Sequence, residues 1–309
     1  MVYNSHCGTD PQSSQQKRHC GLDRQSPVLI LLLFLFAFLT SASIQAQDIE
    51  YTTADRQIFD RYLQTMMDSK HLELNQLIIE TAQFFMGTPY VASTLEKEPE
   101  HIVINLRELD CTTLVENVLA LSRTVKSATP SFETFCAELQ RLRYRDGVIK
   151  DYTDRLHYFT DWIYENSRKN LVNDMTQTIG GEPYPLNLSF MSTHPDSYAP
   201  LRTNSARIEE IARKEKEISA RQTYGLIPKA QIEACGAGMK DGDIVCFVTS
   251  IAGLDVSHVA LIYRNDGKVG FIHASSVVNK VIIEPLSLSE YVSGRKSTTG
   301  VMIVRPLEE

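Results

Sequence analysis

Apolar residues recur every three to four positions in three early segments of the chain, which is the spacing of an amphipathic helix. The first segment comprises Ile58, Phe59, Tyr62, Leu63 and Met66. The second comprises Leu74, Leu77, Ile78, Ala82 and Phe85, and is followed by the helix-ending residues Gly87 and Pro89. The third comprises Leu114, Val115, Val118, Leu119 and Leu121. This pattern predicts a buried third helix that begins at Cys111, with Asp110 as its N-cap.

The segment of residues 124 to 223 is more polar and predicts a mostly helical insertion. After the start signal Thr129-Pro130, one amphipathic stripe consists of Phe132, Phe135, Leu139 and Leu142. A second helix is indicated by Leu156, Phe159 and Ile163, with Trp162 alongside. Residues 205 to 221 carry many charges and predict a solvated surface helix.

The last third of the chain has the short alternating patterns of β-strands. The predicted strands are 244–248, 257–263, 269–274, 281–283 and 301–304. Helices followed by an antiparallel sheet indicate the α+β fold class. We expect one domain over residues 47–309, which includes the helical insertion.

A predicted hairpin determines how two histidines are related. A two-residue turn at Asp266-Gly267 places His273 opposite Ala260 and one diagonal step from His258. Both imidazoles then project from one face, because side chains alternate along a strand. Diagonal neighbours lie about 7 Å apart at the backbone, so the rings can hydrogen-bond directly or through a water. This is the arrangement of a general base and the group that orients it.

Cys111 is the candidate nucleophile for that base. The positive end of its helix favours a thiolate, so we expect a lowered thiol pKa. A packed core thiol is one alternative. A zinc site formed with His258 and His273 is another, but the closely spaced ligand pairs of structural zinc sites are missing from the sequence. Cysteine chemistry of this kind needs no metal or other cofactor.

The N-terminal segment predicts export. Residues 28–39 are an apolar stretch that follows three basic residues and precedes small and polar residues up to Ala46. The stretch is shorter than the roughly 20 residues of a membrane-spanning helix. Residues 1–46 are therefore predicted to be a signal peptide cleaved near Ala46, which leaves a periplasmic protein without a stable membrane anchor.

Charge and cysteine content narrow the function further. The net charge of −7 disfavours nucleic acid as a partner. Four cysteines remain after the predicted cleavage, and disulfides are possible in an exported protein, although the chain is long enough to form a core without them. We expect Cys136 and Cys246 to be buried free thiols, because each lies in the apolar pattern of a predicted element.

Five motifs occur in the order and approximate spacing of the NlpC-type cell-wall cysteine peptidases, which this chain strongly resembles. They are Gly87-Thr88-Pro89-Tyr90-Val91, Asp110-Cys111-Thr112-Thr113-Leu114-Val115, Asp241-Gly242-Asp243-Ile244-Val245, Ser257-His258-Val259-Ala260-Leu261-Ile262-Tyr263 and Ile272-His273-Ala274. Two further segments resemble the N-acetylmuramoyl-L-alanine amidase-like branch of that superfamily. They are residues 155–159 with Trp162, and residues 300–306.

This resemblance implies a papain-like core, in which a helix that bears the nucleophile packs against a small antiparallel sheet. It makes Cys111 the nucleophile, His258 the general base and His273 the orienting group. By the same match Tyr90 and Asp110 border the substrate, and the Cys111 backbone amide contributes to an oxyanion hole.

The chain departs from the superfamily pattern at two positions. Thr112-Thr113 stands where Ser-Gly is usual, which tightens the pocket and makes Thr112 an expected substrate contact. Ser93-Thr94 stands where Gly-Gly is usual after the tyrosine, which changes the Tyr90 loop. A sugar-binding role is also considered for Arg155, His157, Tyr158 and Trp162, although aromatic residues at helical spacing usually belong to a core.

The implied function is an exported cysteine amidase that hydrolyses the N-acetylmuramoyl–L-alanine bond of peptidoglycan fragments, with anhydro-muropeptides as substrates. The first alternative is a γ-D-glutamyl-diamino-acid endopeptidase that cleaves stem peptides. The long helical insertion favours the amidase, because the amidase pocket must admit a sugar and an insertion of this size is large enough to reshape the pocket. A non-catalytic cell-wall binding protein is a second alternative, against which the intact Cys111, His258 and His273 argue. A transferase on the same core also stays open.

Overall fold

The computed structural model describes residues 49–308, so the predicted signal peptide lies outside the described residues. The first part of this range contains two short parallel strands and three helices. They are β1 (Ile49–Glu50), α1 (Thr53–Met66), α2 (Leu74–Phe84), β2 (Ile102–Val103) and α3 (Cys111–Lys126). All three helices predicted from the early apolar segments are confirmed.

The middle part, which the sequence predicts to be mostly helical, contains four helices and two short strands. They are α4 (Phe132–Arg143), α5 (Phe159–Arg168), β3 (Val172–Asp174), β4 (Glu182–Pro183), α6 (Phe190–Thr193) and α7 (Ser205–Ala220). Both strands join the large sheet: β3 pairs with β10 and β4 with β5. The middle part is therefore connected to the rest of the fold by backbone hydrogen bonds as well as by side chains.

The last part supplies most of that sheet. Its elements are β5 (Gly225–Pro228), α8 (Ile232–Cys235), β6 (Ile244–Thr249), β7 (Val256–Asn265), β8 (Lys268–Ser275), β9 (Lys280–Ile283), α9 (Leu288–Ser293) and β10 (Thr298–Pro306). The strand order is β4-β5-β10-β6-β7-β8-β9, and every pairing within this order is antiparallel. Helices with an antiparallel sheet confirm the mixed helix-and-sheet composition of the predicted α+β class.

Helices cover the two faces of this sheet. Leu114 and Val118 of α3 are fully buried in one apolar cluster with Val259 of β7. Leu288 of α9 is buried in a second cluster, with Phe271 from the opposite face of the sheet. Because neighbouring residues of a strand face opposite sides, the sheet has a continuous apolar core on each face.

Helix α7 is packed rather than fully solvated, which corrects the expectation for residues 205–221. Ile211 and Ile218 are buried, and so is the carboxylate of Glu215, which is 2% exposed. Glu215 accepts hydrogen bonds from the Tyr158 hydroxyl at 2.6 Å and from the Ser192 backbone amide at 3.1 Å. The charge pattern alone was misleading, because the partners of this carboxylate are distant in the sequence.

The cysteines match the sequence expectation. Cys136 and Cys246 are buried, and both are free thiols, as are Cys111 and Cys235.

Within residues 49–308, no helix is both long enough and apolar enough to cross a membrane.

Candidate active site

The predicted hairpin brings His258 and His273 together. Strands β7 and β8 pair with Leu261 opposite Ile272 and Asn265 opposite Lys268, which is the register expected for a two-residue turn. Both turn residues, Asp266 and Gly267, have positive φ angles (50° and 78°), as a type I′ turn requires. His258 Nε2 lies 2.8 Å from His273 Nδ1, so the rings are directly hydrogen-bonded.

Cys111 is held at the start of α3 by the predicted cap. Asp110 Oδ1 accepts from the Thr113 backbone amide and from the Thr113 hydroxyl, both at 2.8 Å, and that hydroxyl accepts from the Asp110 amide. The half-buried Cys111 thiol lies within hydrogen-bond reach of the backbone amide of Val259. Val259 directly follows His258, so the helix start meets the strand that carries the candidate base.

The electrostatics of the site differ from the sequence expectation. Burial and the neighbouring charge of Asp110 raise the pKa of the Cys111 thiol to about 11. Burial, together with the charges of His273 and Arg295, lowers the pKa of His258 to about 3. Burial and Arg295 also lower the pKa of His273 to about 4. In the resting site, Cys111 is therefore a thiol beside neutral imidazoles, because desolvation outweighs the favourable helix end.

Tyr90, Asp110 and Thr112 all lie beside Cys111. Tyr90 is anchored through its backbone amide, which donates to the Asn279 carbonyl at 3.0 Å, and its strand-like segment pairs with Leu109. Burial and the charges of Cys111 and Asp110 raise the pKa of the Tyr90 hydroxyl. Thr112 directly follows Cys111, and its hydroxyl and backbone amide oppose the rise in the pKa of the thiol. Their assignment as substrate contacts stays a prediction.

The residues considered for sugar binding lie elsewhere and have internal partners. Arg155 is 7% exposed and pairs with Glu96 at 2.9 Å and Glu100 at 2.8 Å. His157 Nε2 donates to a backbone carbonyl at 2.9 Å, and burial lowers the pKa of this histidine to about 3. Tyr158 donates to Glu215, as described above. None of these three side chains lines the cavity beside His258, and their role in substrate binding stays a prediction.

Trp162 belongs to the core. It is 0% exposed and stacks on Phe159 with ring centroids 4.8 Å apart. Its burial agrees with the expectation that aromatic residues at helical spacing belong to a core.

The histidine pair has neighbours that the sequence analysis missed. Glu284 Oε2 lies 3.3 Å from His273 Nε2. Because Ile282 pairs with His273, the residue two positions later projects from the same side of β9, so the strand pattern contained this signal. The Tyr291 ring lies edge-on to His273 with a centroid distance of 6.0 Å.

The start of β7 is fixed by Asp255, which is 1% exposed. Its Oδ2 accepts from both the amide and the hydroxyl of Thr160 at 2.8 Å. Its Oδ1 accepts from the Val256 amide at 2.7 Å. Thr160 lies in α5, so the middle part of the chain positions the backbone three residues before His258. No local sequence pattern indicates this long-range contact.

A cavity of about 160 Å³ lies beside the two histidines. It is located where the start of β7, the end of β8 and the start of β10 meet. Its walls consist of Phe247, Ser257, His258, His273, Ser275, Ser276, Val277, Tyr291, Arg295, Ser297 and Thr298. A thiol at a helix start, a hydrogen-bonded imidazole pair and an adjacent cavity are groups that acyl transfer through a covalent intermediate would require.

A family model described as AmiA-like, N-acetylmuramoyl-L-alanine amidase-like, matches residues 80–301. An N-acetylmuramoyl-L-alanine amidase structure from Bacteroides uniformis matches with a TM-score of 0.72 and 35% identity, over 76% of this chain and 99% of that chain. The comparison with curated proteins found no match.

Two other solved structures extend the similarity. A Bacteroides fragilis protein, named provisionally as a xylanase, matches with a TM-score of 0.69 and 37% identity, over 73% of this chain and 99% of that chain. A protein from Legionella pneumophila matches with a TM-score of 0.62 and 21% identity, over 83% of this chain and 95% of that chain, which shows the shared fold. The family match and the Bacteroides uniformis structure together support a cell-wall amidase. This chain therefore belongs to the AmiA-like, N-acetylmuramoyl-L-alanine amidase-like family.

Proposed function

We propose that this protein is an exported cysteine amidase that hydrolyses the amide bond between N-acetylmuramic acid and L-alanine in peptidoglycan fragments. The observation that carries the proposal is the 2.8 Å hydrogen bond between His258 and His273. Val259, which directly follows His258, lies within hydrogen-bond reach of the Cys111 thiol. The chain also belongs to the amidase-like family. Anhydro-muropeptides released by cell-wall turnover are the proposed substrates, and the periplasm is the proposed location.

Proton transfer follows from the ring contacts. If His258 Nε2 donates to His273 Nδ1, the second nitrogen of His258, Nδ1, is left as an acceptor for the thiol proton. His273 then carries its proton on Nε2, which faces Glu284. Because both histidines have lowered pKa values, His258 is neutral and competent as a base before the substrate binds.

The reaction has two steps. His258 takes the Cys111 proton as the sulfur attacks the lactyl carbonyl carbon of the substrate, and the Cys111 backbone amide stabilises the resulting oxyanion. The carbon–nitrogen bond then breaks, and the amino group of L-alanine leaves with the proton from His258. In the second step, His258 deprotonates a water that attacks the thioester, which releases the muramic acid carboxylate and restores the thiol.

The same proposal includes a papain-like NlpC-type core. Helix α3 with Cys111 at its start packs against the antiparallel sheet through Leu114 and Val118. Residues 124–223 are then an insertion into that core. In this proposal the insertion shapes the part of the substrate site that receives the sugar, away from the cavity beside His258, which no residue of 124–223 lines.

A xylanase-type reaction is less compatible with these residues. Glycoside hydrolysis ordinarily requires two carboxyl groups across the scissile bond. Among the described residues that line the cavity beside His258, none is an aspartate or a glutamate. The groups at hand are a thiol and two imidazoles, which favours hydrolysis of an amide through a thioester.

Product analysis tests the proposal. The purified protein and its Cys111→Ala variant are incubated with disaccharide-tetrapeptide muropeptides, with and without an anhydro sugar end, and the products are identified by mass spectrometry. The amidase releases an intact disaccharide and a peptide that begins at L-alanine, and the variant releases neither. A disaccharide that still carries a dipeptide would instead identify the γ-D-glutamyl endopeptidase.

Export has its own test. The N-terminal residue of the protein recovered from a periplasmic fraction is expected to be Gln47, directly after the predicted cleavage site. Recovery of the uncleaved chain from the cytoplasm would contradict the proposed location and leave the proposed reaction unaffected.

A further inference from the structure

The cavity beside the histidines has a single formal charge. Among its lining residues, Arg295 is the only arginine, lysine, aspartate or glutamate, and the others are serines, a threonine, aromatic or apolar residues and the two histidines. Val277, which is 72% exposed, provides apolar surface at the cavity wall. The cavity therefore combines one cation with hydroxyl groups and a small apolar surface.

Arg295 is oriented by Tyr291. Its guanidinium carbon lies 4.4 Å from the Tyr291 ring centroid, and its Nη2 donates to the Tyr291 hydroxyl at 2.9 Å. Within residues 49–308, no carboxylate oxygen forms an ion pair within 4.0 Å of a guanidinium nitrogen of Arg295, whereas Arg207 pairs with Glu98 and Asp151. Arg295 thus retains donors for an anion, and its direction is set by an aromatic support.

The reaction assigns this cavity to one side of the substrate. This step rests on the proposed function, in which the departing amine takes its proton from His258. The peptide side of the scissile bond must then lie next to His258, since proton transfer requires hydrogen-bond distance. The cavity that His258 lines is accordingly on the leaving-group side, and the sugar lies on the other side of the scissile bond.

We infer that Arg295, supported by Tyr291, binds a carboxylate of the stem peptide on the leaving-group side of the scissile bond. The chemical class of ligand is a peptide that begins with L-alanine and carries a free carboxylate on the next residue. In a γ-linked D-glutamate that group is the α-carboxylate. A guanidinium recognises it through charge-assisted hydrogen bonds, and the neighbouring hydroxyl groups can solvate the remaining oxygen lone pairs.

Arg295 has a second effect that must be separated from binding. Its charge lowers the pKa of both His258 and His273, so its removal alters the base whichever substrate is present. A binding role depends on the charge of the substrate, whereas an effect on the base does not. Two substrates that differ only in that charge therefore distinguish the two roles.

The experiment compares anhydro-N-acetylmuramoyl-L-alanyl-D-glutamate with its D-isoglutamine analogue, in which the α-carboxylate is an amide. For the parent protein, kcat/KM is expected to be about 10- to 100-fold higher for the acid. Arg295→Met should remove most of this preference, and Arg295→Lys should restore part of it. Lys296→Met is the matched control, because it removes an adjacent exposed charge outside the cavity and should leave the preference unchanged.

A second measurement does not depend on turnover. Calorimetric binding of the peptide L-alanyl-D-glutamate to the Cys111→Ala protein should be weakened about 10-fold or more when Arg295→Met is added. An unchanged acid-to-amide ratio in Arg295→Met, or equal loss for both substrates, overturns the inference. If the parent protein hydrolyses neither substrate, the proposed function fails. The peptide titration then tests the carboxylate site separately. Peptide binding that is lost in Arg295→Met supports the site, and peptide binding that does not depend on Arg295, or no binding at all, refutes the site.

Discussion

His258 on β7 and His273 on β8 are joined ring to ring by a 2.8 Å hydrogen bond across the hairpin. His273 is 2% exposed, so it is held in place by packing as well as by this bond. His258 is half-buried, and the residue after it, Val259, lies within hydrogen-bond reach of the Cys111 thiol. The pair thus has a buried inner member, His273, and a less buried outer member, His258, which in the proposed mechanism orient and exchange protons respectively.

This asymmetry predicts unequal effects of mutation. His258→Ala should lower kcat by about 10²- to 10⁴-fold, which is the usual contribution of a general base. His273→Ala should cost less, roughly 10- to 100-fold, and His273→Asn should recover part of the loss through a side-chain amide that hydrogen-bonds His258. Steady-state rates of muropeptide hydrolysis check both. Near-normal activity of the His258 variant would show that the base is another group.

The raised pKa of Cys111 makes a prediction about thiol reactivity. Because its pKa is about 11, the thiolate fraction should increase about tenfold for each pH unit between pH 7 and 10. The rate of iodoacetamide labelling at Cys111, followed by mass spectrometry, should rise in parallel. The Cys111→Ala protein is the control for the other, buried cysteines. Fast labelling at pH 6 that does not change with pH would instead indicate a preformed thiolate–imidazolium pair.

The lowered pKa of His258 predicts activity that persists into acid. In the proposed mechanism the neutral ring of His258 is the active form, and its pKa of about 3 means that it stays neutral as the pH falls from 7 towards 4. The acid limb of kcat/KM should therefore lie well below pH 6.5, the ordinary value for histidine. The groups that face the pair are Arg295, which lowers both pKa values, and Glu284 beside His273. A midpoint near pH 6.5 would contradict this, provided that circular dichroism shows the fold intact.

Asp255 predicts a link between the middle part of the chain and the active site. Asp255→Ala leaves the buried amide and hydroxyl of Thr160 without their acceptor and should reduce the free energy of unfolding by about 1–3 kcal/mol. It should also reduce activity, because the backbone that leads to His258 loses its anchor. Urea unfolding and hydrolysis rates measure the two effects. Asp60→Ala removes an exposed carboxylate and should change stability by about 0.5 kcal/mol or less.

Local patterns were sufficient for the elements that carry the candidate chemistry. The apolar spacing after Asp110 predicts α3 with its N-cap, because helix amphipathicity and capping depend only on neighbouring residues. The Asp266-Gly267 turn predicts the register of β7 and β8, because a two-residue turn fixes which residues face each other. The approach of the two histidines follows directly from that register.

Contacts between residues that are distant in the sequence could not be predicted from local patterns. The sequence contains Glu215 and Asp255 as ordinary charged residues, whereas the fold buries them against Tyr158 and Thr160. Tyr291 and Arg295 reach the histidines only because α9 covers one face of the sheet. The pKa of Cys111 likewise depends on the burial of its sulfur by the surrounding fold. This desolvation raises the pKa more than the positive end of the helix lowers it.

The sequence by itself thus determined the helix that begins at Cys111, the histidine hairpin and the mixed helix-and-sheet fold class, since each depends on residue spacing along a few turns or strands. Only the tertiary structure decided which charges are buried, which side chains surround the histidines and which protonation states the resting site adopts. Those properties depend on desolvation and on contacts across the fold, and both arise only when segments far apart in the chain pack together.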